Sequence, residues 1–253
     1  MNNRRDFLKK ASIAGVAVLT GPQILKAGAY NEISLSENNI SKTFLFQGDS
    51  ITDGGRSNNM DWNHVFGQDY AYLIASRLNF DYPNRDYKFF NRGISGNTIV
   101  DLAARWQNDT LQIKPDLLSI LVGINDVFAV VVKSEKITAD DFGHTYDILL
   151  AQTMQALPNV ELVLCEPFIL PVGMVKNNLT QWTTEVQKRQ PILKELATKY
   201  KAVYVPLQDT FNKAALKAPA DHWIWDGIHP MPAGHELIAR EWLKIVNKRY
   251  KIY

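Results

Sequence analysis

Short, nearly continuous apolar runs alternate along this chain with longer segments of helical periodicity. The runs are Thr43 to Gln47, Tyr87 to Asn91, Asp116 to Val122 after Pro115, Val160 to Cys165, and Ala202 to Val205 before Pro206. Each has the length and character of a buried strand. Between them, Tyr70 to Leu78 sets Leu73, Ile74 and Leu78 on one face, and Thr98 to Gln107 does the same with Ile99, Leu102 and Trp106. Asp140 to Leu157, about Thr180 to Tyr200 (with Pro191 inside) and Asp209 to Lys217 read as further helices. Ala233 to Asn247 closes the chain with Leu237, Ile238, Trp242, Leu243 and Val246 as its stripe. Polar loops fill the intervals up to about Gln68, around Pro171 and Gly173, and from Trp223 to Pro230. Strands that alternate with helices and lack in–out alternation predict an α/β fold, its mostly parallel sheet covered on both faces. No internal repeat, low-complexity tract or second-domain boundary interrupts the pattern.

The first residues follow a different rule. Arg4, Arg5, Lys9 and Lys10 precede an apolar stretch, Ala11 to Leu19, that is short for a bilayer crossing, and Ala27-Gly28-Ala29 offers small residues for cleavage. The expectation is an export signal over 1–29, a polar linker over 30–41 and one folded domain over 42–253. Asn3-Arg4-Arg5-Asp6-Phe7-Leu8-Lys9 is similar to the twin-arginine export signal, with Asn3 where Ser or Thr is usual. An uncleaved amphipathic anchor is the alternative. The implied location is the periplasm or the outside of a bacterial cell, with no membrane span once the signal is removed.

Composition narrows the function classes. The 253 residues carry a formal net charge of only +2, without a basic block beyond the amino end, so nucleic acid is not expected as a partner. The single cysteine, Cys165, rules out an intrachain disulfide and a cysteine-based metal site. His64, His144, His222 and His235 are scattered without ligand spacing, so no metal or cofactor is expected.

Polar residues collect where strands end. Ser50 follows the first strand, Gly93 the second and Asn125 the third, while Asp226 and His229 precede the last helix. In a parallel sheet the first three ends share one edge, where open α/β sheets place their sites. Acyl transfer would use Ser50 as nucleophile and His229 as its base. Asp226, three residues earlier, would hold the other ring nitrogen. The N–H groups of Ser50 and Gly93 and the side-chain amide of Asn125 are candidate donors to an oxyanion. Each residue also has a plainer role. Asp49 and Ser50 suit a helix cap, Gly93 and Asp226-Gly227 suit turns, Asn125 and Asp126 suit a cap, and His229 before Pro230 suits a surface position.

Taken together, these blocks resemble the SGNH hydrolases, also called GDSL esterases and lipases. The matching residues are Gly48-Asp49-Ser50-Ile51 (Ile51 replacing the usual Leu), Gly93 in Asn91-Arg92-Gly93, Gly123-Ile124-Asn125-Asp126, and Asp226-Gly227-Ile228-His229 before Pro230. The resemblance spans about Thr43 to Val246. It implies a three-layer α/β/α sandwich with a five-stranded sheet, flavodoxin-like in strand order. It also implies a Ser50, His229, Asp226 triad and oxyanion donors at Ser50, Gly93 and Asn125. Thr52 breaks any Gly-x-Ser-x-Gly elbow, which argues against the lipase-type α/β-hydrolase layout.

Asn91 to Thr98, Arg105-Trp106 and Ser119 to Val127 are similar to a bacterial subgroup that includes acetylxylan esterases. The expected substrate is therefore a small acetylated carbohydrate such as a xylo-oligosaccharide. Trp225 (with Trp223 and Trp62 as further tryptophans), Asp49 and Arg92 are the candidate substrate contacts, although an indole is as often core packing and Arg92 could instead bind a neighbouring carboxylate. His222 lines either the cleft or the surface, and Asp126 reads as support for the third block. A short-chain acyl esterase or lysophospholipase on the same triad, and a non-catalytic glycan-binding envelope protein, are the alternatives. A homo-oligomer is left open.

Overall fold

A computed structural model describes residues 41–57, 59 and 64–253. The expected export signal, nearly all of the linker and Trp62 lie outside the described residues. Five strands form one sheet: β1 (Lys42–Gly48), β2 (Tyr87–Asn91), β3 (Leu117–Leu121), β4 (Glu161–Cys165) and β5 (Val203–Val205). Their order is β2-β1-β3-β4-β5 and every pair is parallel, which goes beyond the mostly parallel sheet expected. Register runs Phe44 to Phe89 on one side of β1 and Phe46 to Ser119 on the other.

Alternate strand residues feed two cores. Phe44, Phe46, Leu117, Leu121, Val163, Cys165 and Val205 face α2 (Tyr70–Asp81), α8 (Leu207–Ala215) and α10 (Pro232–Tyr250). Leu45, Leu118, Ile120, Leu162 and Leu164 face α3 (Ile99–Trp106), α5 (Ala139–Ala156) and the carboxyl half of α7 (Leu179–Lys199). The result is a helix layer on each side of the sheet. Trp242 of α10 is fully buried, tilts against Phe46 at 5.6 Å between ring centroids, and donates from Nε1 to Ser119 Oγ at 3.0 Å. Cys165 is buried beside Ser119, and burial pushes its thiol up to about 12.

Short helices form where the plainer reading placed caps, α1 (Ser50–Asp53) after Asp49 and α4 (Ile124–Val131) around Asn125 and Asp126, while α6 (Gly173–Lys176) and α9 (Ala220–Trp223) were not anticipated. In α4 the β-branched Val127, Val130 and Val131 disfavour helix intrinsically. Burial of Ile124, Val127 and Ala129 outweighs that preference. A π-helical turn over Gln107–Leu111 extends α3 and carries Asp109 and Thr110 back towards β1, where Asp109 O and Thr110 Oγ1 both accept from the buried Gln47 amide at 2.8 Å.

The order reverses between β1 and β3. Chain leaving β1 crosses by α2 on one face, and chain leaving β3 crosses by α5 on the other. The crevice left at the strands' carboxyl ends is the place where such sheets bind ligands. Truncating the indole that packs β1 against α10 should be costly: Trp242→Ala is expected to lose about 3–5 kcal/mol of unfolding free energy, read from urea denaturation.

Candidate active site

The first block is both a cap and a site. Asp49 caps α1, its Oδ1 accepting from the Ile51 N–H at 3.0 Å, and the turn ends at Gly54 with φ +54°. Gly48 is required for this turn, since a Cβ there would collide with the Leu121 carbonyl and the Thr52 side chain. Ser50 stands at the head of the turn. Its Oγ lies 2.8 Å from His229 Nε2, and His229 Nδ1 lies 2.7 Å from Asp226 Oδ2.

The loop carrying Asp226 and His229 is tied locally. Asp226 Oδ1 accepts from the Ile228 N–H at 2.9 Å and the His229 N–H at 2.7 Å, closing a tight turn. Gly227 takes φ +100°. The Leu170 N–H donates to Gly227 O and the Met174 N–H to Asp226 O, so the segment after β4 braces the turn from below.

Charge follows from these bonds. The hydrogen bond to Asp226 raises the His229 pKa above the ordinary imidazole value, against the opposing pull of burial. Burial pushes the Asp226 carboxyl up, but the bonds from His229 and Ile228 outweigh it and leave the acid below its ordinary value. Asp49 has the opposite outcome. Burial drives it to about 7, although the Ile51 bond and the charge of His229 pull it down.

Asp49 is 1 % exposed, so the structure withdraws it from the expected substrate contacts. Its Oδ2 is buried without a hydrogen-bond partner among the described residues. It supports the turn from beneath.

Gly93 is corrected in the same way. It is buried, its N–H donates to Asn91 Oδ1 at 2.9 Å, and a Cβ there would strike the backbone of Thr52 and Asp53. It lacks a side chain so that the second loop can press against α1, and its N–H is already taken. Gly96, three residues on, has the properties expected of Gly93. It is exposed with φ +85°, and a Cβ there would meet nothing within 4 Å. Neither its N–H nor that of Ser50 pairs with an acceptor among the described residues. Ser95 anchors this turn through its N–H and Oγ, both donating to Asp53 Oδ2 at 3.0 and 2.6 Å. Asn125, in the first turn of α4, donates from Nδ2 to Asn97 O at 3.1 Å, which sets its amide beside the Gly96 turn. The glycine-containing turn Ile94-Ser95-Gly96-Asn97 was the available signal for Gly96, but two glycines competed for one role.

The remaining candidates divide. Trp225 is 61 % exposed and its ring stacks on the His229 ring, with centroids 6.2 Å apart and an interplanar angle of 26°. Trp223 is half-buried and packs against the core, while His222 is exposed on the surface. Asp126 is fully buried and accepts from the Ile99 N–H at 3.3 Å, fastening α4 to α3 as expected of a supporting group. Arg92 is half-buried, with its Nε lacking a partner among the described residues and its carbonyl accepting from Arg105. Asn91 was missed entirely. Its side chain holds Gly93, Thr52 O, Phe66 O and Asp69 together at the end of β2. Among the described residues there is no group of three or more His, Cys, Asp or Glu able to hold a metal ion, and no helix is long and apolar enough to cross a membrane.

Comparison with known proteins places the family and fold. The model of the GDSL-like Lipase/Acylhydrolase family matches residues 46–237. An acetylxylan esterase of Geobacillus stearothermophilus is 31% identical over 209 residues, covering 80% of this chain and 93% of that protein. The crystal structure of Axe2, an acetylxylan esterase from the same organism, superposes with a TM-score of 0.71 at 30% identity over 82% of this chain and 95% of that one. A GDSL-like protein from Parabacteroides merdae ATCC 43184 gives 0.78 at 36% identity over 83% and 98%.

The geometry makes a pH prediction. A base must be neutral to take a proton, so with His229 in the role of base expected of it, turnover should fall as pH drops through its raised pKa. Asp226→Asn removes the carboxylate and its charge, leaving a neutral amide beside Nδ1. The ascending limb of the kcat/KM profile should therefore move to lower pH, with plateau turnover reduced on the order of 10⁴-fold. Steady-state kinetics across pH on a chromogenic acetate ester checks both.

Proposed function

Because the chain belongs to the GDSL-like lipase/acylhydrolase family and is a carboxylic ester hydrolase, we propose that it is a serine esterase removing O-acetyl groups from small carbohydrates, in particular acetylated xylo-oligosaccharides. The observation that carries this reading is the hydrogen-bonded series from Ser50 Oγ through His229 to Asp226, at 2.8 and 2.7 Å.

In this reading His229 Nε2 takes the Ser50 proton as Oγ attacks the acetyl carbon. Asp226 holds the ring in the tautomer that leaves Nε2 free and stabilises the imidazolium that forms. The oxyanion accepts from the Ser50 N–H, the Gly96 N–H and the Asn125 amide. One amide hydrogen of Asn125 stays with Asn97 and the other is available. His229 then returns the proton to the departing sugar hydroxyl. Water, activated the same way, releases acetate from the acyl-enzyme.

The carbohydrate preference is supported by the acetylxylan esterase relative and by Trp225, whose exposed indole extends the His229 ring outward as a platform for a sugar face. Arg92 remains a candidate contact at the margin of the second loop. The pattern over residues 1–29 supports export, which amino-terminal sequencing of the secreted product would test.

Ser50→Ala should abolish hydrolysis of p-nitrophenyl acetate with the circular dichroism spectrum intact. A variant as active as its parent would remove Ser50 from the mechanism. Mass spectrometry on acetylated xylo-oligosaccharides should show losses of 42 Da per acetyl, whereas preferential cleavage of a lysophospholipid would redirect the substrate assignment. Trp225→Ala is expected to raise KM for the oligosaccharide several-fold, by about 1 kcal/mol of lost stacking, and to change KM for p-nitrophenyl acetate little.

A further inference from the structure

Arg105 closes the last turn of α3, and its guanidinium reaches the strand end before Ser50, the exit of β2 and the turn after Gly96. Nε donates to Asn97 Oδ1 at 2.8 Å. One terminal nitrogen donates to Arg92 O at 2.8 Å, to Gln47 Oε1 at 3.0 Å and to Asp109 Oδ2 at 3.1 Å. The other donates to Gly48 O at 3.2 Å. One planar group thus grips the strand end two residues before Ser50, the exit of β2, and the residue that follows Gly96. Asn97 transmits the grip further, because its carbonyl holds the Asn125 amide.

The cation is itself held in place. Its side chain is 15% exposed, Asp109 pairs with it from the π-helical turn, and the same turn fixes Gln47. Insertions of this kind within helices recur at functional sites. Here Asp109 pairs with Arg105 one turn earlier, at the ordinary i,i+4 spacing, while its carbonyl binds Gln47.

We propose that Arg105 is a positioning residue of the esterase reaction, setting the mutual spacing of the Ser50 N–H, the Gly96 N–H and the Asn125 amide through its bonds to Gly48 O and Asn97. The proposal rests on the reading of Ser50 as nucleophile with these three donors. A lysine keeps the charge but has a single donor atom on a flexible stem, so it cannot span three loops at once. Arg105 touches neither His229 nor Asp226, so its loss should leave the base alone.

The test is a double-substitution cycle in the full chain, with p-nitrophenyl acetate as substrate. Arg105→Lys should lower kcat by about 10- to 100-fold with KM within about threefold, because donors displaced from an oxyanion act in the transition state. The ascending pH limb should stay where the parent has it. Asn97→Ala, which cuts the link while leaving Arg105 on Gly48 and Arg92, should lower kcat by about tenfold, and the double variant should be no slower than Arg105→Lys alone. Parental kcat in either single variant, a loss confined to KM, a displaced pH limb, or effects that multiply would each overturn the proposal. Should Arg105→Lys fail to fold, Asn97→Ala decides by its own kcat. Ser50→Ala runs alongside. If it retains parental turnover, the reading of the nucleophile has failed, an outcome separate from any result at Arg105.

Discussion

A hydrogen bond of 2.8 Å joins Ser50, at the end of the first strand, to His229, just ahead of the last helix, across 179 residues of chain. A bond so short in space and so long in sequence needs both of its ends held independently. On one side Gly48 and the Asp49 cap hold the serine turn against β3. On the other, Ile224 and Pro230 form an isolated antiparallel bridge, the Trp225 N–H donates to His229 O, and Gly173 packs on the Asp226 backbone. The two ends also share a core, because Phe46 of β1 packs on Trp242 of α10. Side chains that face away from the cleft therefore set its dimensions.

Dryness is the second condition. Asp49, Asp69 and Asp126 all lie buried around the serine and its neighbouring loops, and burial pushes them to about 7, 8 and 6 respectively. Asp226 alone among these acids is drawn down, because the bonds from His229 Nδ1, the His229 N–H and the Ile228 N–H outweigh its burial, as the bonds to Asp69 do not. Chemically identical groups around the serine and its neighbouring loops thus differ in acidity, and the acid that faces the imidazole is the one held below its ordinary value.

Much of this was legible in the amino-acid order, for identifiable reasons. Buried parallel strands must be apolar on both faces, so all five announced themselves, with edges correct to within one or two residues. The Asp226 to His229 spacing could be read because a three-residue turn brings the two side chains together without help from elsewhere. What could not be read depends on contacts made at long range. Gly93 and Gly96 look alike in sequence. Only the side chain of Asn91, folded back on the Gly93 N–H, tells them apart. Helix α4 formed against its own β-branched residues because the core required it. Beyond its i,i+4 pair with Asp109, Arg105 bonds residues up to 58 positions away, and no local pattern encodes those contacts.

The lone sulfhydryl, Cys165, sits at the end of β4 with no exposure to solvent, and burial lifts it far from its reactive form. The native protein therefore presents no thiol among its described residues to a maleimide or an oxidant. A cysteine engineered at an exposed position such as Trp225 would be the single labelling point, so a fluorophore could report events at the cleft mouth without background. Release of Cys165 to the same reagent would in turn time the opening of the sheet itself.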